Sequence, residues 1–165
     1  LKNTLKPEAA GTRISHQSQR EGVKAIAAKD NITAIQIVSG RMLMAHGFLR
    51  KIFEIFEAYR TPIDMIATSE VSVSATIDDT SHLAEIRKEL QRYGTVDVMG
   101  DQTIICIVGD FIAESKGHAA RIFQALADVP LHMISYGGSQ HNISALISGQ
   151  DKQAALAALN RLFDN

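Results

Sequence analysis

The chain has 165 residues, 45% of them apolar, and its 17 basic and 18 acidic side chains leave a net charge of −1. That length suits one ordinary domain or two small ones. The apolar content excludes a largely disordered chain, and the balanced charge offers no electrostatic footprint for nucleic acid or an anionic membrane. The longest apolar runs are strand-length, such as TIICIVG at 103–109, well short of the roughly 20 residues that a spanning helix needs. Cys106, alone of its kind and in the middle of that run, excludes an internal disulfide framework and a thiolate metal cluster, and is expected to be a buried thiol.

Residues 1–21 are polar and without periodicity, and are expected to form a solvated linker or tail. The chain starts at Leu1 with no charged-then-apolar leader, and is expected to be a piece of a longer protein. GVKAIAA (22–28) is strand-like, and TAIQIVS (33–39) alternates as a strand does. Phe48, Leu49, Ile52, Phe53, Ile55, Phe56 and Tyr59 then recur at helical spacing behind Gly47, until Pro62 stops the helix. IDMIAT and VSVSATI are short strands rich in β-branched residues, separated by Ser69 and Glu70. Leu83, Ile86, Leu90 and Tyr93 mark a second helix ended by Gly94, and TVDVMG supplies a further strand.

This order then recurs. An offset of 70 aligns Thr33 with Thr103, Ile35 with Ile105, Ile37 with Ile107, Gly47 with Gly117, Ile52 with Ile122 and Phe53 with Phe123. After a two-residue slip at Met65 and Met133, which Gly137 and Gly138 reverse, Ser74 meets Ser144 and Ile77 meets Ile147. The second repeat predicts a strand over 103–109, a helix over 116–127, strands over 131–136 and 142–148, and a helix over 151–162. It has no fourth strand. An open sheet edge leaves backbone groups unpaired, so the unassigned segment 22–28 is expected to fill it, which makes the first repeat an insertion within the second.

Several chemistries lack a seat. GGSQHN has no following Lys with Ser or Thr and lies between two strands, so it is no phosphate loop. His46, His118, His132 and His141 are scattered over different elements without metal-ligand spacing. No nucleophile elbow or isolated carboxylate pair is visible. What remains is Met42, Ala45, Gly47, Phe48 and Leu49 at a strand-to-helix turn. There the first helical N–H groups lack intrahelical partners and the helix dipole is positive, which suits a carboxylate. Asp64, opening the next strand, is expected close by and suits an ammonium group; together the two match a free amino acid. The other reading of Asp64 is an exposed strand-end residue making a local turn bond. The second repeat carries His132 at that place. Ile52 and Phe53 are expected in the core, whereas Met42 and Phe48, facing Ile112 and His118 in the alignment, are candidates for a site or an interface.

GRMLMAHGFLRKIFEIFEAYRTPIDMIATSEVSVSATID resembles the first of the paired ACT domains in the regulatory region of aspartate kinases, particularly the lysine-inhibited branch. ISYGGSQHNISALISGQDKQAALAALNRLF resembles the second, and AAGTRI followed by VKAIAAKDNITAIQI resembles the junction with the kinase catalytic domain. The resemblance implies an α+β fold of two ferredoxin-like βαββαβ (ACT) units with antiparallel sheets, the first inserted in the second. Domain 1 would span 31–100, and domain 2 would combine 22–30 with 101–165. It further implies feedback inhibition by an end-product amino acid, usually lysine or threonine, held between ACT domains of a homodimer. The effector-contacting positions would be Met42, Ala45, Gly47, Phe48 and Leu49, then Ile63 and Asp64, then Ser69, Glu70 and Val71. Related members often carry serine at the places of Ala45 and Pro62, so two potential hydrogen bonds to a ligand are lost here. The parent would phosphorylate aspartate in the cytoplasm with ATP and Mg. This chain lacks the Lys-containing Gly-rich entry to the kinase fold, so it is expected to carry no catalytic residue and no cofactor, and its partners would be the effector, a second copy and the catalytic domain. The alternative is a dimerisation scaffold that binds no small molecule; a small enzyme on a ferredoxin-like fold lacks a candidate nucleophile.

Overall fold

The structure, a computed structural model, describes residues 4–10, 22–42, 45–110 and 116–163. Most of the expected linker, residues 11–21, lies outside the described residues. Among these residues the strands form one six-stranded sheet in the order β2-β3-β1-β4-β6-β5. The elements in chain order are β1 (Gly22–Val38), α1 (Phe48–Ala58), β2 (Ile66–Thr68), β3 (Ser72–Ile77), α2 (Leu83–Leu90), β4 (Thr95–Asp110), α3 (His118–Ala125), β5 (Met133–Ser135), β6 (Asn142–Ser148) and α4 (Lys152–Asn160).

The strands expected at 22–28 and 33–39 are one continuous β1, and those at 95–100 and 103–109 are one continuous β4. The polar residues that look like breaks are absorbed as irregularities within the pairing. Register shifts fall between Lys29 and Ile32 and again between Ile32 and Ala34. Asn31 (φ 59) and Asp101 (φ 52) take left-handed conformations there, which Asn and Asp tolerate better than other side chains. The first half of β1 pairs antiparallel with the second half of β4, from Val23 against Gly109 to Lys29 against Ile104. Its second half pairs with the first half of β4, from Ile35 against Val98 to Val38 against Thr95. The segment 22–28 thus fills the open edge of the second repeat, and the first repeat is inserted in the second.

Unit 1 is then the second half of β1, α1, β2, β3, α2 and the first half of β4. Unit 2 is the first half of β1, the second half of β4, α3, β5, β6 and α4. Strand side chains alternate between faces. In unit 1, Ile35, Ile37, Val73, Ala75 and Ile77 face Ile52, Phe56, Ile86 and Leu90 of the helices. In unit 2, Ile105, Ile107, Ile143 and Ile147 meet Ile122, Ala155 and Leu159. On the face away from the helices, Ile32, Ala34, Met65, Ile104, Met133 and Leu146 form a third buried cluster. The sheet curls around it, so that the edge strands β2 and β5 come together.

Some elements are shorter than the hydrophobic pattern predicts: 116–127 becomes His118–Ala125 and 63–68 becomes Ile66–Thr68, whereas the expected helix over 151–162 is present as α4 flanked by 3-10 turns at Gly149–Asp151 and Arg161–Phe163. Beyond α3 the chain continues as single turns, where the Ala127 N–H donates to the carbonyl of Gln124 at 3.3 Å and the Val129 N–H to that of Leu126 at 2.9 Å. Cys106 is only half-buried, not enclosed. It shares the face of Ile104, opposite the inward-facing Ile105 and Ile107, and its Sγ lies 3.9 Å from Asn142 Nδ2.

Candidate functional site

α1 opens at Gly47 and α3 at Gly117, and both glycines adopt left-handed backbone, φ 77 and φ 86. That conformation disfavours a Cβ, which accounts for the glycine recurring at the same place in each repeat. Among the described residues no side chain caps α1, and its first turn holds no acid, so its leading N–H groups and the positive end of its dipole are open to an anion. Backbone bonds fold the preceding segment onto this end. The Met42 N–H donates to Ser39 O at 3.1 Å, the Ala45 N–H to Met42 O at 3.1 Å, and the Ser39 N–H to Val71 O at 2.8 Å.

The last bond ties the segment to the β2–β3 turn at 69–71. That turn is closed by the Ser69 N–H donating to Ser72 O at 2.9 Å and by the two serine hydroxyls 2.6 Å apart. Met42, Ala45, Gly47, Phe48 and Leu49 are thereby brought to one end of unit 1 with Ser69, Glu70 and Val71. Phe48 is buried, edge-on to Tyr93 with ring centroids 6.3 Å apart. Met42 is half-buried against the same core. Leu49 and Val71 stay 38% and 42% exposed, which leaves apolar surface at this end.

Ile63 and Asp64 are not at this end, which corrects the expectation that Asp64 lies near the glycine turn. α1 has 11 residues, about 16 Å of helix, and Asp64 follows it at the far end. The Asp64 N–H donates to Thr76 O at 2.9 Å, four residues along β3 from Ser72, about 13 Å of strand. Ile63 packs on the unit 1 core. The carboxylate of Asp64 accepts from Lys29 Nζ at 2.6 Å, and Asp78 accepts from the same ammonium at 2.8 Å. These bonds, that from Asp64 first, raise the Lys29 pKa, and the bond from Lys29 lowers that of Asp78. So Asp64 is neither a free strand-end acid nor part of an intrachain zwitterion pocket. Lys29 and Asp78 escape sequence reading because Lys29 sits on the half of β1 belonging to the other unit. The only signal is that the second repeat has His132 and Ser148 where the first has Asp64 and Asp78.

Beside the glycine turn, a cleft of about 250 Å³ opens between the start of α1 and the end of α2, lined by Arg41, Ala45, His46, Phe48, Lys51, Arg92 and Tyr93. A second cleft of about 390 Å³ shares Arg41, Arg92 and Tyr93 with it. No carboxylate lines either. Among the described residues no three His, Cys, Asp or Glu side chains gather as metal ligands would, and no helix is long and apolar enough to cross a membrane.

Residues 105–163 match the family model of the ACT domain. A solved chain assigned as a C-terminal regulatory domain of aspartate kinase from Porphyromonas gingivalis W83 is 50% identical, with a TM-score of 0.77 over 86% of this chain and 97% of that one. The chain belongs to the aspartate kinase regulatory domains. The aspartokinase of Schizosaccharomyces pombe is 38% identical to this regulatory domain over 159 residues, 93% of this chain and 30% of that protein. Escherichia coli aspartokinase III, solved in complex with lysine and aspartate, is 28% identical, with a TM-score of 0.78 over 91% of this chain and 35% of that one. The regulatory domain spans about 30% of the length of the curated relatives it matches. Within it, unit 2 keeps the glycine turn but not the charges: His132, at the place of Asp64, has its Nδ1 2.6 Å from Gln102 Oε1.

Proposed function

We propose that this regulatory domain senses a free amino acid on behalf of an aspartate kinase in the cytoplasm, with lysine the first candidate and threonine the second. Binding represses the phosphorylation of aspartate, carried out with ATP and Mg by the catalytic domain of the parent chain. The observation that carries the reading is the meeting of the uncapped Gly47 helix end with the turn at 69–71. The effector's carboxylate sits on the amides at 47–49, beside Met42, Ala45, Phe48 and Leu49.

Since Asp64 stands at the opposite end of unit 1, its contact with the effector's ammonium comes from a second copy. A two-fold axis perpendicular to α1 and β2 that sets them beside their counterparts runs them antiparallel, which brings the Gly47 end of one copy to the Asp64 end of the other. Exposed Leu49, Ile66 and Val71 supply apolar surface for that seam. The incoming ammonium takes the place that Lys29 holds on Asp64. Lysine is supported by its presence in the E. coli relative. Threonine is kept as the second candidate because Ala45 and Pro62 lack the serine hydroxyls that related members often carry there, which weakens the case for lysine.

Titration calorimetry with lysine, threonine and methionine, alongside sedimentation, tests this. Heat with one of them and a ligand-linked gain in dimer are expected, and Asp64→Ala weakens binding by roughly 2–5 kcal/mol if the ion pair is desolvated in the seam. Unchanged affinity in that variant removes Asp64 from the site. Silence with all three amino acids leaves the domain as a dimerisation scaffold.

A further inference from the structure

We infer that the cleft between the first turn of α1 and the end of α2 is a further ligand site, adjoining the proposed effector site at Ala45 and Phe48 and built for a small dianion such as a phosphate ester or a dicarboxylate. Arg41, Lys51 and Arg92 reach it from three different segments, with His46 beside them. None of the three is in an ion pair among the described residues, whereas neighbouring Arg50 is engaged by Glu54 at 3.0 Å. Three permanent like charges around a cleft of about 250 Å³ repel one another, and only an anion turns that repulsion into attraction.

The two guanidinium groups can each grip a planar or tetrahedral oxyanion with paired N–H donors, while the lysine supplies a point charge. One carboxylate satisfies one such group; three cations call for a ligand with at least two negative charges. The edge-to-face pair of Phe48 and Tyr93 gives the cleft a rigid apolar wall. The two readings share Ala45 and Phe48 but rest on different groups, the effector on backbone amides and the dianion on Arg41, Lys51 and Arg92, so the site goes beyond the sensor reading and does not depend on it.

The test titrates the chain with inorganic phosphate and with succinate at low ionic strength, chloride serving as the control. Saturable one-to-one binding of at least one dianion is expected, weakening as salt is raised. Arg92→Gln and Lys51→Gln should each weaken it about tenfold or more, with circular dichroism confirming the fold of each variant. Binding of phosphate alone assigns a phosphate ester, of succinate alone a dicarboxylate, and of both a site that reads charge. Absence of saturable binding with either probe overturns the inference, as does wild-type affinity in the variant carrying both substitutions. Lysine and threonine titrated against the same variants separate the two readings. Amino-acid binding without dianion binding counts against the cleft alone, and the reverse counts against the sensor alone.

Discussion

Gly94 sits where α2 hands over to β4, and replacing it with alanine should damage the domain far more than replacing Gly47. A Cβ at Gly94 would stand 2.3 Å from Val38 O and 3.0 Å from Ser39 Cβ, against the roughly 3.5 Å at which such atoms pack comfortably. The obstructing oxygen belongs to the backbone at the end of β1, where Val38 is registered against Thr95, so no side-chain rotation relieves the clash. Either the two central strands separate at this end or Ser39 shifts and loses its bond to Val71. Overpacking of this kind costs ~1–3 kcal/mol, and the lost hydrogen bond adds ~1 kcal/mol. For a chain of this size the sum lowers the melting temperature by on the order of 10 °C. At Gly47 an added Cβ meets nothing within 4 Å, so only the left-handed backbone objects, at roughly 1 kcal/mol. Thermal and urea unfolding of Gly94→Ala and Gly47→Ala, followed by circular dichroism, gives the comparison. Equal losses in the two variants would refute the reasoning.

Thr76 is fully buried and its hydroxyl accepts from the Met65 N–H at 2.9 Å; Thr76→Val strands that donor and should cost about 1–3 kcal/mol in urea unfolding. The bond from Lys29 lowers the pKa of Asp78, and the bonds from Lys152 and Thr103 lower that of Asp30, each from 3.8. Their stabilisation is therefore present above 3.8 and lost as pH falls through the depressed folded values. Lys29→Gln should flatten this acid limb when unfolding midpoints are followed across acid pH, leaving the Asp30 share. Tyr59 donates its phenol proton to Glu89 at 2.9 Å, and that bond chiefly raises its pKa above 10.0. The stabilisation holds below 10.0 and disappears as pH climbs through the raised value, so Tyr59→Phe should show a shallower loss on the alkaline side. Phe56→Ala, deep in the unit 1 core, should cost ~3–5 kcal/mol by differential unfolding.

The repeat made most of the architecture readable, because hydrophobic alternation and glycine placement are local signals that each copy carries in full. The partner of 22–28 followed from the chemistry of unpaired strand edges. Continuity of the long strands did not follow, since Asp30, Asn31 and Asp101 look like breaks until the pairing absorbs them. Half of the candidate site was legible for a similar reason: Gly47 and the turn at 69–71 flank consecutive elements that must end at the same level. Asp64 was misplaced because periodicity tells which face a residue occupies but not which end of the layer it reaches. The cations of the cleft were missed because Arg41, Lys51 and Arg92 lie up to two helices and two strands apart in the chain, and no local pattern announces that they converge.

Ile32 is registered directly against Gln102, so the chain enters and leaves unit 1 at neighbouring points on adjacent strands. An insert whose two ends emerge through one doorway can be exchanged for another of the same strand order. A short hairpin loop could also stand in for it, without unit 2 surrendering a backbone partner. In this architecture an inserted unit can be grafted onto, or removed from, a chassis that keeps its own sheet.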